Sequence, residues 1–288
     1  FERQKKGEHD GDITHLKTFH LNRRSATKNF WRPSTWSYVY RSVLNPSKLK
    51  YLVYQDMLPF LEEAGAVLSV GGDNYSLDYG VPTMFTGLDD IVLERRRPMV
   101  IWGASVGPFT AMPEYERYMS GHLCKVTGIF AREPVTVDYL KGIGVVDNVF
   151  HAADPAFLLE PVRPEGVEET VPIDGEAIGI NLSPLMAKYV TNGDNERWTA
   201  MAVAIVESIS KRFEMPVYLI PHVTNTSSDD HVFMRSVAAR ANCAKGSIKL
   251  VPPTFDAAGT KWIIGRMALF AGSRTHSTIA AMSSSVPT

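Results

Sequence analysis

Short apolar runs alternate along this chain with longer segments in which apolar residues recur every three or four positions. The short runs are typical of buried strands, and the periodic segments are typical of amphipathic helices. The alternation predicts an α/β fold with a parallel sheet covered on both faces. The predicted strands are residues 66–70, 99–103, 128–131, 149–152, 177–181, 216–220, 248–251 and 267–271, with a further candidate at 13–19. The predicted helices are residues 46–64, 114–124, 133–142, 196–213, 229–243 and 256–266, and the segment after Ser273.

A stretch rich in Pro, Gly and Glu interrupts this alternation at residues 161–176. Because it has no apolar period, it is predicted to be a linker. The predicted domains are residues 1–160 and residues 177–288. The pattern begins without a first strand and stops just after "SSVP". We therefore expect a fragment cut at both ends, with an incomplete second domain.

Composition narrows the possible functions. Hydrophobic residues make up 44% and charged residues 21% of the 288 residues, and the formal net charge is −1. This is the mix of a soluble globular protein, and it predicts no nucleic-acid partner. Cys124 and Cys243 lie far apart, which favours a reducing compartment over a disulfide framework. The histidines show no ligand spacing, so no metal is assigned, and no apolar run approaches the roughly 20 residues of a membrane span.

The stretch "SRTHSTIAAMSSS", residues 273–285, predicts a turn and a helix after a buried strand. Ser273 is the expected N-cap, and Ile279 and Met282 are expected to share the apolar face. Arg274 and His276 then lie at the helix start, where unpaired N–H groups and the helix dipole favour an anion. The guanidinium fork matches a carboxylate or phosphate, and the imidazole can move a proton near neutral pH. The alternative is that both residues merely cap the turn.

Two loops after predicted strands add polar candidates. "GGDNYSLDYG" places Gly72, Asp73, Asn74 and Tyr75 after the strand at 66–70, which its glycines are expected to end. Its acid could orient or deprotonate a hydroxyl, although ordinary turn chemistry uses the same residue types. The glycines of "GASVGPF", which contains Ser105, indicate only that the backbone closely approaches another group there. These loops belong at the carboxyl ends of parallel strands, where open α/β sheets bind ligands.

Arg132 and His222 also follow predicted strands. Arg132 stands just before a helix that begins at Glu133 and Pro134, in the same anion-friendly setting as Arg274. Its alternative is a salt bridge to Glu133 or a neighbour. The alternative for His222 is a structural hydrogen bond.

Two further expectations concern the second domain. Ser227 or Ser228 should cap the helix at 229–243, and the helix at 196–213 should bury Trp198, Met201, Ile205 and Ile209.

The order of these motifs resembles the polysaccharide pyruvyl transferase family. The matching segments run from about residue 60 to the end of the chain and are "GGDNYSLDYG", "GASVGPF", "FAREPVTVDYLKGIGV", "ADPAFLL", "GINLSPL", "LIPHV" and "GSRTHSTIAAMSSSVP". The family's N-terminal Asn-x-Gly-Asp turn and its C-terminal elements are not found. The resemblance implies two Rossmann-like domains facing each other across a cleft, as in GT-B glycosyltransferases. It also implies phosphoenolpyruvate as donor, a sugar as acceptor and a cyclic pyruvate ketal as product.

In the family, the "R-x-H" motif, here Arg274 and His276, is associated with the donor site, and "ARE" brings Arg132 to the same cleft. We expect the two arginines to clamp the donor's carboxylate and phosphate, with His276 as general acid, His222 as second choice, and Asp73 as base or acceptor anchor. The remaining candidate binding residues are Thr275, Asn74, Tyr75, Gly72 and Ser105. Acceptor choice is assigned to loops such as 21–45 and 75–90.

No cofactor is expected beyond the phosphoenolpyruvate donor substrate. The expected partners are that donor and a glycan or lipid-linked sugar acceptor, and the expected location is cytoplasmic, with membrane association only through the acceptor. Two alternatives stay open. One is a GT-B-type glycosyltransferase that uses a nucleotide sugar. The other is a glycan-binding member of the family that has lost its chemistry.

Overall fold

The computed structural model describes residues 40, 54, 57–78, 80–172, 176–225 and 228–288. Its described residues form two compact units, one ending at Pro155 and the other running over Ala156–Thr288. The candidate strand at 13–19, the loop at 21–45 and most of the predicted helix at 46–64 lie outside the described residues. Both units have parallel sheets flanked by helices, which confirms the α/β class and the two Rossmann-like domains.

The first unit contains a parallel sheet with strands in the order β1-β2-β3-β4. Its strands are β1 (Val67–Tyr75), β2 (Met99–Val106), β3 (Gly128–Ala131) and β4 (Val149–His151). Its helices are α1 (Leu58–Glu63), α2 (Thr83–Glu94), α3 (Pro113–Leu123) and α4 (Pro134–Gly142). Apolar side chains such as Ile101 and Ile129 are fully buried between sheet and helices. The polar residues that follow each strand therefore collect at one edge of this sheet.

The second unit contains a parallel sheet in the order β10-β5-β6-β9. Its strands are β5 (Ile178–Asn181), β6 (Val217–Leu219), β7 (Thr224–Asn225), β8 (Ser228–Asp229), β9 (Ile248–Leu250) and β10 (Leu269–Gly272). β7 and β8 pair with each other in antiparallel fashion. The helices are α5 (Val167–Thr170), α6 (Met186–Val190), α7 (Asn195–Phe213), α8 (Asp230–Arg240), α9 (Ala257–Ile264) and α10 (Thr275–Met282), and a 3₁₀ turn spans Pro155–Leu158.

Strand β1 does not end at its glycines, contrary to the sequence expectation. Gly71 and Gly72 adopt φ of 74° and 67°, and the pairing register with β2 shifts between Gly72 and Tyr75. Glycine tolerates this left-handed backbone, so the strand bends and continues as a bulge. Asp73 is therefore held by the sheet instead of by a free turn. The segment predicted as a loop at 75–90 is also corrected, because α2 begins at Thr83.

Several helix details also differ from the sequence prediction. The buried face of α7 contains Trp198, Thr199, Ala202 and Val206, while Met201 and Ile205 are exposed. The N-cap of α8 is Asp229, whose carboxylate accepts from the Val232 N–H at 3.0 Å, not Ser227 or Ser228. The N-cap of α10 is Arg274, not Ser273, and Met282 is exposed instead of sharing the buried face of Ile279.

The segment predicted as a linker carries α5, and two of its valines enter the core of the second unit. Val167 and Val171 are both buried there. Helical spacing of four residues puts them on one face, which packs against that core.

Tyr75 was expected to bind substrate, but it is a core residue with 1% exposure. Its hydroxyl donates to Asp89 at 3.0 Å and lies 3.0 Å from Ser69 Oγ, whose own hydroxyl can donate to the phenol oxygen. Burial and the neighbouring Asp89 carboxylate raise the pKa of the phenol. His122 bonds the same carboxylate through Nε2 at 3.3 Å and Asp90 through Nδ1 at 3.1 Å. This network anchors the end of β1, the strand that contains Asp73, to α2 and α3.

We predict that His122→Ala destabilises the protein by about 2–4 kcal/mol, because it leaves the buried Asp89 carboxylate without its imidazole partner. The measurement is the free energy of unfolding in urea. The control is His151→Ala, which removes an exposed imidazole from β4. Equal unfolding free energies for the two variants would show that the network contributes nothing to stability.

Candidate functional site

Asn181 joins three chain segments at the carboxyl edge of the second sheet. It ends β5, and its Nδ2 donates to the Ile220 carbonyl just after β6 at 3.0 Å. Its Oδ1 accepts from the backbone N–H of Arg274, just after β10, at 3.1 Å. The side chain is 1% exposed, so these bonds are made away from water and fix the loops that carry the predicted residues.

Asp230 lies behind these loops and was not among the residues predicted from the sequence. It is the first residue of α8 and has no solvent exposure. Its Oδ1 accepts from Arg274 Nη2 at 2.8 Å and Nε at 3.2 Å. Its Oδ2 accepts from the backbone N–H groups of His222 at 3.3 Å and Val223 at 3.0 Å. The sequence signal was an acid in the first helical turn, which the helix dipole alone explains.

The guanidinium of Arg274 is therefore bonded along one edge by the protein itself. Besides Asp230, Nη2 also donates to Ser228 Oγ at 2.7 Å. The side chain is 14% exposed, and Nη1 donates to no acceptor among the residues that the structure describes. The sequence interpretation assigned all N–H donors of this guanidinium to a ligand. The structure leaves one nitrogen and the start of α10 for that purpose.

The two histidines predicted for this edge lie together, with parallel rings. The ring centroids of His222 and His276 are 6.4 Å apart and the ring planes differ by 5°. Burial, then the neighbouring His276 and Arg274, lower the pKa of His222 to about 4. At neutral pH, His222 is thus an uncharged imidazole, which can accept a proton but is a poor general acid. This argues against it as the second choice of general acid. His276 and Thr275 are exposed at the first turn of α10.

At the edge of the first sheet, Arg132 forms ion pairs with three carboxylates. Nη2 donates to Asp73 at 2.6 Å, Nη1 to Asp154 at 2.8 Å and Nε to Glu133 at 2.8 Å. Nε also donates to Ser105 Oγ at 2.9 Å, and that hydroxyl donates to Glu133 at 2.7 Å. The salt-bridge alternative for Arg132 is thus what the structure shows. Since three carboxylates outnumber one guanidinium, an added anion would meet excess negative charge here.

Two of these carboxylates remain accessible. The side chains of Asp73 and Glu133 are 40% and 36% exposed, whereas those of Arg132 and Asp154 are 8% and 5% exposed. A carboxylate oxygen has several lone pairs, and the arginine occupies only part of them. This edge is therefore suited to groups that donate hydrogen bonds, such as sugar hydroxyls.

Asn74, Gly72 and the glycines of "GASVGPF" determine the path of the backbone at this edge of the first unit. Asn74 Nδ2 donates to the Gly71 carbonyl at 3.0 Å, which stabilises the bulge that contains Gly72. In "GASVGPF", a Cβ at Gly103 would lie 2.2 Å from Pro155 Cδ, and one at Gly107 would lie 2.2 Å from Tyr139 Cε1. The close approach predicted for this loop is thus made by the protein's own side chains.

The described ranges contain neither a candidate metal site nor a candidate membrane span. No group of three or more His, Cys, Asp or Glu side chains there is arranged to hold a metal ion. None of the helices over the same ranges has the length and apolar character needed to cross a membrane.

Among the comparisons with known proteins, a family model identifies the family and solved structures show the fold. The family model for polysaccharide pyruvyl transferase matches residues 5–288. Among curated proteins, no sequence matches the chain. The chain is similar in structure to a Listeria monocytogenes putative UDP-N-acetylglucosamine 2-epimerase, with TM-score 0.55, 15% identity and coverage of 82% of this chain and 60% of that one.

Two further solved structures show the same likeness. The S. aureus MnaA–UDP co-structure has TM-score 0.52, 14% identity and coverage of 84% and 59%. The UDP-GlcNAc 2-epimerase from Methanocaldococcus jannaschii has TM-score 0.54, 12% identity and coverage of 84% and 64%. At this identity the likeness shows a GT-B-like fold alone. The chain spans about 60% of the length of these proteins.

We predict that the imidazole of His222 titrates with a midpoint near 4. The lowered folded pKa means that the unfolded chain binds this proton first, so stability should fall as the pH drops from about 6.5 towards 4. The measurement is a histidine NMR titration, with the His222 signal assigned by its loss in His222→Gln. The same variant should lose less stability over that pH range. A midpoint above 6 would contradict the neutral imidazole.

Proposed function

This chain belongs to the polysaccharide pyruvyl transferase family, and we propose that it moves the enolpyruvyl group of phosphoenolpyruvate onto a sugar. The product is a pyruvate ketal on a polysaccharide or its lipid-linked precursor. The observation that carries this proposal is the group formed by Arg274, His276 and a neutral His222 at one sheet edge. It combines an anion-binding helix start with two imidazoles that can hold or move a proton.

The donor is proposed to bind at this edge of the second unit. Phosphoenolpyruvate carries a carboxylate and a phosphate, and both favour guanidinium and helix N–H donors. Arg274 Nη1 and the first turn of α10 supply such donors. Arg132 is not part of this proposal, because its three ion pairs use its donors internally.

The proposed chemistry begins with protonation of the donor's methylene carbon, which becomes a methyl group. His276 is the proposed general acid. A sugar hydroxyl then attacks the neighbouring carbon, and its proton restores the acid. A second hydroxyl of the same sugar closes the ketal as the carbon–oxygen bond to phosphate breaks, and its proton leaves with the phosphate. Neutral His222 is proposed to take the proton of the second hydroxyl and to pass it to the departing phosphate.

The acceptor sugar is proposed to bind through the carboxylates of the first unit. Asp73 keeps the role of hydroxyl anchor or base, and Glu133 adds a second accessible carboxylate beside it. The excess of negative charge at this edge suits a hydroxyl-bearing group and opposes the donor anion.

The first experiment is phosphoenolpyruvate binding by calorimetry, for which we expect binding to wild type and a loss of at least about tenfold in affinity in Arg274→Lys. Lysine has the charge but not the planar guanidinium, so it cannot make the two-point contact with Asp230 and present a further donor to a ligand in the same geometry. The matched control is Arg235→Lys, an exposed arginine on α8 that should bind normally.

A uridine diphosphate sugar is the comparison ligand in the same experiment. Binding of that ligand alone would replace the pyruvyl transferase with a nucleotide-sugar enzyme. Glycan binding without donor binding would indicate an inactive member of the family. Near-normal donor affinity in Arg274→Lys would remove the arginine from the site.

We predict that His276→Gln lowers kcat by about 10²–10⁴-fold while donor binding survives in part, because glutamine keeps a polar side chain but cannot deliver a proton. The measurement is phosphate release in the presence of acceptor. Asp73→Asn is the comparison variant, and its main effect should be a higher KM for the acceptor. An unchanged kcat in His276→Gln would exclude the imidazole from the mechanism.

A further inference from the structure

We infer that Asp230 is the positioning residue of the donor site, because its single buried carboxylate fixes both the Arg274 guanidinium and the loop that carries His222. The inference rests on the proposed function and adds a residue to it. Asp230 has no solvent exposure, so it acts on a ligand only through the groups that it holds.

One oxygen of Asp230 sets the direction of the arginine. Oδ1 accepts from Nη2 at 2.8 Å and from Nε at 3.2 Å, which is a two-point contact along one edge of the planar group. Such a contact fixes the plane as well as the position of a guanidinium. Nη1 is on the side that Asp230 does not occupy, and it donates to no acceptor in the described part of the chain. The pair thus aims the remaining donor nitrogen.

The other oxygen holds the strand ends together. Oδ2 accepts from Asn181 Nδ2 at 3.2 Å and from the backbone N–H groups of His222 and Val223 at 3.3 and 3.0 Å. Asn181 in turn bonds the Arg274 backbone. The carboxylate therefore ties the loop after β6, which contains His222, to the turn between β10 and α10, which directly precedes the helical turn that contains His276.

Only an acceptor with two anionic oxygens meets all these donors. Asparagine has the same size, but its amide replaces one acceptor by a donor. In Asp230→Asn, either the arginine or the His222 loop faces an N–H group. Since a hydrogen bond to a charged group stabilises by about 1.5–3 kcal/mol, its loss corresponds to a change of about 10- to 100-fold.

The test is a double-mutant cycle on the full chain, with phosphoenolpyruvate as the calorimetric probe. The variants are Asp230→Asn, Arg274→Lys and the two combined, with Asp138→Asn, an exposed aspartate on α4, as control. We expect Asp230→Asn to weaken donor affinity about 10- to 100-fold, and the double variant to bind no more weakly than Arg274→Lys alone. Such non-additivity is the signature of a residue that acts through its neighbour.

A merely structural role predicts different results. It would lower the melting temperature and change donor and acceptor KM together, and the cycle would be additive. Positioning predicts a change in the donor KM with the acceptor KM unchanged. If Asp230→Asn does not fold, Asp230→Glu keeps the charge and enters the same cycle.

Two failures remain distinguishable. If wild type binds phosphoenolpyruvate and Asp230→Asn binds it equally well, the inference is overturned while the proposed function stands. If wild type does not bind phosphoenolpyruvate, the proposed function fails and the inference falls with it.

Discussion

A buried aspartate paired with an arginine organises the functional edge of each sheet. Asp230 holds Arg274 in the second unit, and Asp154 holds Arg132 in the first. Taking a carboxylate and a guanidinium out of water costs several kcal/mol per ion, and their attraction repays this only with good geometry and further hydrogen bonds. Asp230 meets that condition, because it also accepts from Asn181 Nδ2 and from two backbone N–H groups, and these bonds hold the surrounding loops in one arrangement.

The two pairs differ in what surrounds them, and this difference gives the units different chemistry. Around Arg132 two further carboxylates accumulate, so the edge attracts donors of hydrogen bonds and repels anions. Around Arg274 the neighbours are imidazoles and a helix start, so the same kind of pair leaves an edge that favours an anion. An arginine in a sequence motif therefore does not by itself identify an anion site. Carboxylates that pair with the arginine can neutralise its charge and occupy its N–H donors, so that neither is available to a ligand.

Much of the fold could be predicted from the sequence, because apolar runs and helical periods record burial directly. Strand β3 has the predicted ends, and the other sheet strands lie where runs of apolar residues indicated them. The strand ends could be named as the functional edge because parallel strands present their carboxyl ends together. The helix α2 was missed because the segment before it reads as a loop. The buried face of α7 was misjudged because several apolar stripes compete on a helix with many apolar residues.

The partners of the predicted residues could not be inferred, because pairing depends on distances across the sheet. Asp154 follows β4 and reaches an arginine that follows β3, and Asp230 reaches an arginine 44 residues later. Tyr75 shows the same limit, since a tyrosine beside Asp73 and Asn74 has the composition of a binding loop. Regular alternation would put it on the same face as Asp73, but the pairing register shifts between Gly72 and Tyr75, and the Tyr75 hydroxyl reaches the buried Asp89.

The proposed division of labour between the two histidines follows from burial and neighbouring charge more than from residue type. From the sequence, both were candidates for the same role of general acid, with His276 as first choice and His222 as second. In the structure, His222 is half-buried beside a guanidinium, which disfavours its charged form, while His276 is exposed at the first turn of α10. Two identical side chains in unequal environments can act as acceptor and donor at one pH, whereas two equivalent ones would compete for the same proton. The buried Asp230 sustains this asymmetry, because it holds the backbone of His222 and the side chain of Arg274 with one carboxylate.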